Sequence, residues 1–337
     1  MKAAVYKGKQ KLTVEEVDTP IPGPNEVLIK VKYSALCGTD VHAFLYDIPS
    51  PGTVMGHEFC GTISEVGSDV TAWKKNDRVV GGGGTPPPGK EPAIKVGPRY
   101  NFRTQGFSGR MRAYAEYVIL DEWGPILIPD GVSDEEAALC EPTSVGVHAV
   151  RKSGIQLGDS AVIFGAGPIG LFCTQVAKAT GASQVIVFEP SSVRANAALQ
   201  VGADTVLNPL EIDPISTAVE LTGGIGPDVV FDCAGINSTL DQSLNMVRRN
   251  GKVILVAVIW EKISLLPVDW SAREVSMHVS FSSDPSDWHA ALNLFQSGKV
   301  KIGPMLSREQ IIPLTDIQGA FESLIKPTTQ LQLVVKP

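Results

Sequence analysis

"SAVIFGAGPIGLFCTQVAKATGASQVIVFE", residues 160–189, holds the decisive pattern of the chain. A nearly all-apolar, β-branched run (160–164) leads into Gly165, Gly167 and Gly170, spaced G-x-G-x-x-G. An amphipathic stretch follows, and then a second apolar run ends in Glu189, nineteen residues past Gly170. Strand, glycine turn, helix and strand in that order predict a βαβ unit that holds a dinucleotide. The first glycine permits a tight turn, the second lets the backbone approach a pyrophosphate, and the third lets helix pack on strand. The helix start, with Pro168 and Ile169, offers free N–H groups and a positive dipole end to phosphate. Glu189 stands where the ribose hydroxyls of the adenosine should lie. A carboxylate accepts from a 2′-OH and repels a 2′-phosphate, so NAD is expected and NADP is disfavoured. Arg194 is the one nearby residue that could tolerate the extra phosphate.

Outward from this segment the same grammar continues. "DTVLN", "DVVFDC" and "KVILVAV" are further apolar runs, as expected of parallel strands covered on both faces, and helical stretches alternate with them. Residues 1 to about 120 read differently, as short strands such as "AAVY", "EVLIKVKYSAL", "GTISEVG" and "AYAEYVIL" separated by Gly, Pro and Asn clusters. That is the pattern of an irregular antiparallel barrel. After about Phe281 a helix over 287–297 and the closing strand "LQLVV" return to the first style. The expected division is therefore 1–144 and 283–337 in one domain, with 145–282 inserted between them. The segment 81–110, opening with "GGGGTPPPGK", reads as a mobile loop, with no helix start to suggest phosphate binding.

Composition sets bounds on partners. The chain has 337 residues, 43% of them apolar and 19% charged, and a formal net charge of −7. No apolar run approaches a membrane span, and no Lys/Arg cluster suggests nucleic acid or anionic lipid. The opening "MKAAVYKGKQ" turns polar at once and does not read as a signal peptide. Five scattered cysteines fit free thiols or metal ligands in a reducing cytoplasm. Among them "ALCGTDVH" (35–42) and "MGHEFCG" (55–61) bring two thiols, two imidazoles and two acids close in sequence. A thiolate, an imidazole and a carboxylate form the ligand set of a catalytic zinc that keeps one position open.

"CGTDVH", "GHE", "EVGSDV", "DRVV", "YAEYV", "EPTSVGVHA", "GAGPIG" and "FDCAG", in this order, closely resemble the zinc-dependent medium-chain alcohol dehydrogenases. The likeness is strongest to the sorbitol, butanediol and related secondary-alcohol branch, and it covers essentially the whole chain. It implies an α/β protein: a Rossmann domain with a doubly wound parallel sheet, plus a GroES-like catalytic domain, with the active site in the cleft between them. It also implies that Cys37 and His57 are zinc ligands. Glu58 is then either a ligand or an acid beside the metal, and Glu141 takes the remaining ligand position. Thr39 matches the hydroxyl that receives the substrate proton, and His42 the base that passes it on. Arg194 matches a basic residue at the adenosine ribose, and Asp40 an acid with a structural role. The reaction implied is hydride transfer between a secondary alcohol, diol or polyol, or the matching ketone, and NAD(H). Relatives pair the last Rossmann strand in dimers, often within tetramers, so a homodimer or homotetramer is expected.

Two departures qualify the resemblance. Many relatives carry four closely spaced cysteines for a structural zinc, whereas here no cysteine lies between Cys60 and Cys140. One zinc per chain is expected. Polyol-specific relatives have an aromatic after the "CGxDVH" histidine and an arginine after the final Rossmann strand. This chain has Ala43 and "VSFSSDPSDW" there. Ala43 and Phe281, with Tyr114 lining the space, point to a roomier, more apolar pocket for a smaller diol-like or cyclic secondary alcohol rather than sorbitol. Two competing readings are a zinc-free NADPH-dependent reductase of the same superfamily and a non-catalytic dinucleotide-binding protein. The Cys37, His57 and Glu141 set argues against the first, and Thr39 with His42 against the second.

Cys140 and Glu141 compete for one ligand position. Ser133 with Glu136 makes a capping box that starts a helix, whose last turn should hold Cys140 against the core. Pro142 should push Glu141 into extended geometry, free to reach the metal. Cys37 thiolate and both glutamates would leave zinc with a net charge of −1, so one glutamate at a time is expected to bind directly.

Overall fold

The computed structural model describes residues 1–90, 112–325 and 330–337. The chain divides into two compact units, Met1–Glu141 with Leu306–Pro337, and Pro142–Met305.

The second unit is a six-stranded, all-parallel sheet. Its strands run, edge to edge, Thr205–Leu207, Gln184–Phe188, Ser160–Phe164, Val229–Asp232, Lys252–Leu255 and Ser276–Val279. Counted from Ser160–Phe164 this is the order 3-2-1-4-5-6 of a Rossmann sheet, as the apolar runs predicted. Central strands are buried beyond at most their first residue because helices pack against the sheet. Val162, Phe164, Ile186, Phe188, Val230 and Val253 share one core, in which the Phe164 and Phe188 rings stack at 5.1 Å. Strand order reverses between Ser160–Phe164 and its two neighbours, and the glycine turn leaves from that strand's C-terminal end.

The first unit is built on a seven-stranded sheet centred on Glu26–Ala35, with Glu58–Val66, Arg78–Val80, Tyr117–Asp121 and the C-terminal Val334–Lys336 among its members. Apart from the parallel pair Ile311–Pro313 and Val334–Lys336, its pairings are antiparallel. Register shifts in the pairing of Glu26–Ala35 with Glu58–Val66 account for the irregularity expected of this barrel.

The contact-based division differs from the expected boundaries, most at the second crossing. Residues 283–305 pack with the second unit rather than the first. The helix Pro285–Gln296 is tied to the helix Cys140–Ser153 by His148 Nδ1 to Asp287 at 2.7 Å and Arg151 to Asp287 at 2.5 Å, and Ser283, just before it, by Ser144 at 2.8 Å. Loop segment 81–90 forms turns and bends, and the rest of the expected loop lies outside the described residues.

The capping box of Ser133 and Glu136 is present and starts the helix Asp134–Ala138. That helix ends at Leu139, and a new one, Cys140–Ser153, begins with the disputed pair itself. Glu141 is therefore helical, contrary to the extended geometry expected before Pro142. Pro142 falls in the first turn, where its missing N–H would have had no intrahelical acceptor, so the helix tolerates it. Among the described residues no helix is long and apolar enough to cross a membrane.

Candidate active site

Cys37 caps the N-terminus of the helix Gly38–Leu45, with extended backbone and a sulfur that accepts from Thr39 N–H at 3.4 Å. Leu36 is anchored just before it, its N–H donating to the Leu333 carbonyl at 2.9 Å. Across the sheet, His57 and Glu58 stand at the start of Glu58–Val66, whose Glu58 registers with Ala35. The pairing of these two strands brings together donors twenty residues apart in sequence. One ligand atom from each of Cys37, His57 and Glu58 lies within 4.8 Å of the others. Glu141 is outside that set but close enough for its charge to be felt at Glu58.

The electrostatics of the three donors favour a cation. Burial, and then the charge of Glu141, push the Glu58 carboxyl from 4.5 up to about 8. Burial and the Glu58 charge push the Cys37 thiol up to about 12. Burial alone would lower the His57 value, but Asp40 and Cys37 outweigh it and raise it well above 6.5. Each group holds its proton, Cys37 and Glu58 chiefly because burial penalises their charged forms and His57 because of the acids beside it. Glu58 is 2% exposed, and its Oε2 has no hydrogen-bond partner among the described residues. A buried carboxylate oxygen left this way, beside a thiol and an imidazole, fits a divalent ion of zinc character.

Asp40 is buried and held by polar neighbours. It is 1% exposed, its Oδ2 accepts from the Tyr114 hydroxyl at 2.6 Å, and it lies 3.5 Å from His57 Nδ1. Thr39 and His42 sit three residues apart on Gly38–Leu45 and so share a helix face. His42 Nδ1 is 2.8 Å from the Gly38 carbonyl, which makes Nδ1 the protonated nitrogen and leaves Nε2 as the acceptor. Its ring stacks on Tyr46 at 6.3 Å.

Two expectations about the pocket do not hold. Ala43 and Tyr114 are both fully buried in one hydrophobic core with Phe44 and Phe321, rather than lining open space. Ala43 follows His42 round the helix to the side that packs inward, and the Tyr114 hydroxyl is committed to Asp40. The hydroxyl contact was invisible in the sequence because it joins residues 74 positions apart. The one signal for it was an acid within an otherwise apolar helix face.

The glycine turn has the tight backbone geometry that its spacing predicted. Gly165 has φ +88°, and a Cβ there would sit 3.2 Å from Ala234 N. At Gly170 a Cβ would lie 1.9 Å from the Gly165 carbonyl oxygen, whereas above Gly167 nothing stands within 4 Å. Open space therefore lies over the start of the helix Pro168–Thr180, which has Pro168 and Ile169 in its first turn. Glu189 is 5% exposed and fixed at both oxygens, by Ala166 N–H at 2.7 Å and Ser191 N–H at 2.8 Å. Arg194 lies half-buried on the next helix, Ser192–Gln200.

The remaining thiols and His148 read as packing, whereas His278 and His289 are exposed. Cys60 donates to the Asp134 carbonyl at 3.1 Å, and Cys233 and Cys173 meet at 3.9 Å. His148, Asp284 and Asp287 also bring ligand-type atoms together. The Asp287 carboxylate is taken up by His148, Arg151 and the Asp284 N–H, so this group holds a helix in place.

Comparison with known proteins agrees with both halves. The alcohol dehydrogenase GroES-like domain matches residues 23–130, and the zinc-binding dehydrogenase family matches residues 168–297. The chain is 33% identical to (R,R)-butanediol dehydrogenase of Bacillus subtilis, over 100% of both chains. It is 33% identical to human sorbitol dehydrogenase, over 96% of this chain and 92% of that one. A solved structure from Sinorhizobium meliloti 1021, described as a zinc-binding dehydrogenase and bound to NADP, superposes with a TM-score of 0.87 at 30% identity, covering 100% of this chain and 99% of that one. The chain therefore belongs to the zinc-binding alcohol dehydrogenase family, with a GroES-like unit and a Rossmann unit.

Proposed function

We propose that the protein is a zinc-dependent oxidoreductase that moves a hydride between a secondary alcohol, diol or polyol, or the matching ketone, and NAD(H). The observation that carries this reading is the convergence of Cys37, His57 and Glu58 around an unpartnered Glu58 oxygen. Cys37, His57 and one of Glu58 or Glu141 would hold a single zinc. Bound there, zinc would acidify a coordinated hydroxyl, as it lowers the pKa of water from 15.7 to about 7. NAD would take the hydride.

The chain's own residues supply the rest. Thr39 Oγ1 accepts the proton of the substrate hydroxyl, and His42 Nε2, set as an acceptor by the Gly38 carbonyl, carries it towards solvent. The glutamate that does not bind the metal orients the substrate or water beside it. Backbone N–H groups of Ile169 and Gly170, at the helix start that Pro168 opens, bind the pyrophosphate, and Gly165 and Gly167 let it approach. Glu189 accepts from the ribose 2′-OH. Its two backbone N–H bonds prevent it from swinging aside for a 2′-phosphate, which supports NAD over NADP even with Arg194 nearby. The butanediol and sorbitol dehydrogenase relatives support a diol or polyol substrate class. The absence of arginine from 274–288 favours the smaller diols. The exposed edge strand Ser276–Val279 supports assembly into a homodimer or homotetramer.

The test is metal content together with NAD and NADP reduction over a panel of secondary alcohols, diols and sugars. The expected result is one zinc per chain, chelator-sensitive turnover of diols and preference for NAD. Two zinc per chain, or no chelator-sensitive activity on any member, would refute the reading.

A further inference from the structure

Tyr114 is fully buried, yet its hydroxyl reaches the carboxylate oxygen that faces a candidate metal ligand. Asp40 Oδ2 lies 2.6 Å from that hydroxyl and 3.5 Å from His57 Nδ1. At 1% exposure Asp40 cannot be satisfied by bulk water, and among the described residues its side chain meets these two donors. The hydroxyl's other neighbour, the Ala35 carbonyl, is neutral and farther away at 3.2 Å, so the proton points to Asp40. The ring is held in place. It meets Phe321 edge-on at 5.8 Å, and Tyr114 N–H donates to the Met55 carbonyl at 3.0 Å. Gly56, directly before His57, has φ +100°, and a Cβ there would lie 2.8 Å from Tyr114 N. Only glycine allows the His57 segment to lie this close to Tyr114.

We propose that Tyr114 is a positioning residue for the metal centre: its hydroxyl shares the Asp40 carboxylate with His57 and so limits how strongly that imidazole holds the metal. This rests on the zinc reading above. A carboxylate that accepts from one ring nitrogen makes the other nitrogen a better ligand. A second donor on the same oxygen draws off part of the negative charge that does so. At 2.6 Å against 3.5 Å, the hydroxyl holds the larger share. Without it, Asp40 serves His57 alone.

The experiment compares zinc affinity, by competition with a chromophoric chelator, in the full-length protein and three variants. Tyr114→Phe keeps the ring in the core and should bind zinc about 3- to 10-fold more tightly, a smaller effect than the 10–100-fold typical of removing a partner carboxylate. Asp40→Asn should weaken binding by about 10- to 100-fold. The double variant should match Asp40→Asn alone, because the hydroxyl acts only through the carboxylate. Cobalt(II) in place of zinc should show shifted d–d bands in Tyr114→Phe at an unchanged melting temperature. A merely structural tyrosine would instead lower melting temperature and affinity together, with additive effects. Unchanged or weaker zinc binding in Tyr114→Phe, or additivity in the double variant, would overturn the inference while leaving the zinc reading intact. If Asp40→Asn does not fold, the affinity and cobalt spectrum of Tyr114→Phe alone decide the matter. Failure of the wild-type protein to bind either metal stoichiometrically would sink the zinc reading and this inference with it.

Discussion

Cys140 and Glu141 are consecutive residues of one helix, and consecutive helical residues point roughly 100° apart. This rotation separates them, sending Cys140 into the core at 0% exposure and leaving Glu141 half-buried with its charge felt at Glu58. Glu141→Ala should lower kcat/KM by at least about 100-fold if it contributes a ligand or holds the reacting water. Cys140→Ala should cost about 1–2 kcal/mol of stability while turnover is kept. The reverse pattern in steady-state kinetics would assign the role to the thiol. That Cys140 packs into the core was legible in the sequence, but the geometry at Glu141 was not, because Pro142 reads as a helix stop unless the break at Leu139 is known. The same cluster sets a pH dependence for the metal-free protein. Glu58 is protonated in both folded and unfolded chains below 4.5. Between 4.5 and about 8 the unfolded chain releases that proton and the folded one keeps it, so stability falls as pH rises. His57, raised above 6.5, acts in the same direction: its stabilisation is present below 6.5 and lost as pH climbs through its folded value. The melting temperature of chelator-stripped protein should therefore decrease from about pH 5 to about pH 8.5. The rise in melting temperature on adding zinc should grow over the same interval, because the ligands must shed protons to bind it. A flat profile for the stripped protein would mean that the three donors are not buried together.

At the scale of elements, the glycine turn shows why some features of this chain can be read directly. Gly165, Gly167 and Gly170 act within six residues, and the constraint on each is local backbone geometry that any such turn shares. Gly170→Ala brings a Cβ onto the Gly165 carbonyl oxygen, a backbone contact that no rotamer relieves. The turn must open, at a cost of roughly 1–3 kcal/mol, which is about 5- to 150-fold in NAD dissociation constant. Calorimetric titration with NAD should show this loss while zinc content stays at the wild-type level. By contrast, the metal cluster depends on one strand pairing with another at a particular register, with Ala35 opposite Glu58. Hydrophobic alternation predicts that such strands pair, but it carries no information on which residues fall opposite each other. Tyr114 and Ala43 were misplaced for the same reason: their neighbours come from distant segments of the same core.

For the whole molecule, the exposed edge of the parallel sheet is the feature that monomer stability does not explain. All four residues of Ser276–Val279 are exposed, with Met277 at 43% and Val279 at 55%. An apolar edge with unpaired backbone groups is a template for another strand. Replacing Met277 and Val279 by glutamate should shift the protein towards monomer in sedimentation analysis, and an unchanged mass would place the subunit contact elsewhere. Two-domain character and the inserted second unit were legible from the change in hydrophobic pattern. The second crossing was not, because residues 283–305 are held by polar contacts to the helix Cys140–Ser153 rather than by periodicity. The strand Val334–Lys336 carries a consequence for how the protein is made. It pairs with Ser34 and Ala35, and the preceding Leu333 accepts from Leu36, all immediately ahead of Cys37. The candidate ligands Cys37, His57 and Glu58 are thus buttressed by a strand that follows the whole second unit in the chain, so that unit has emerged and can fold before the buttress is made. Deleting residues 334–337 should spare NAD binding while markedly weakening zinc retention on gel filtration. Metal loading would then wait for that strand to pair, with the Rossmann unit already folded when it begins.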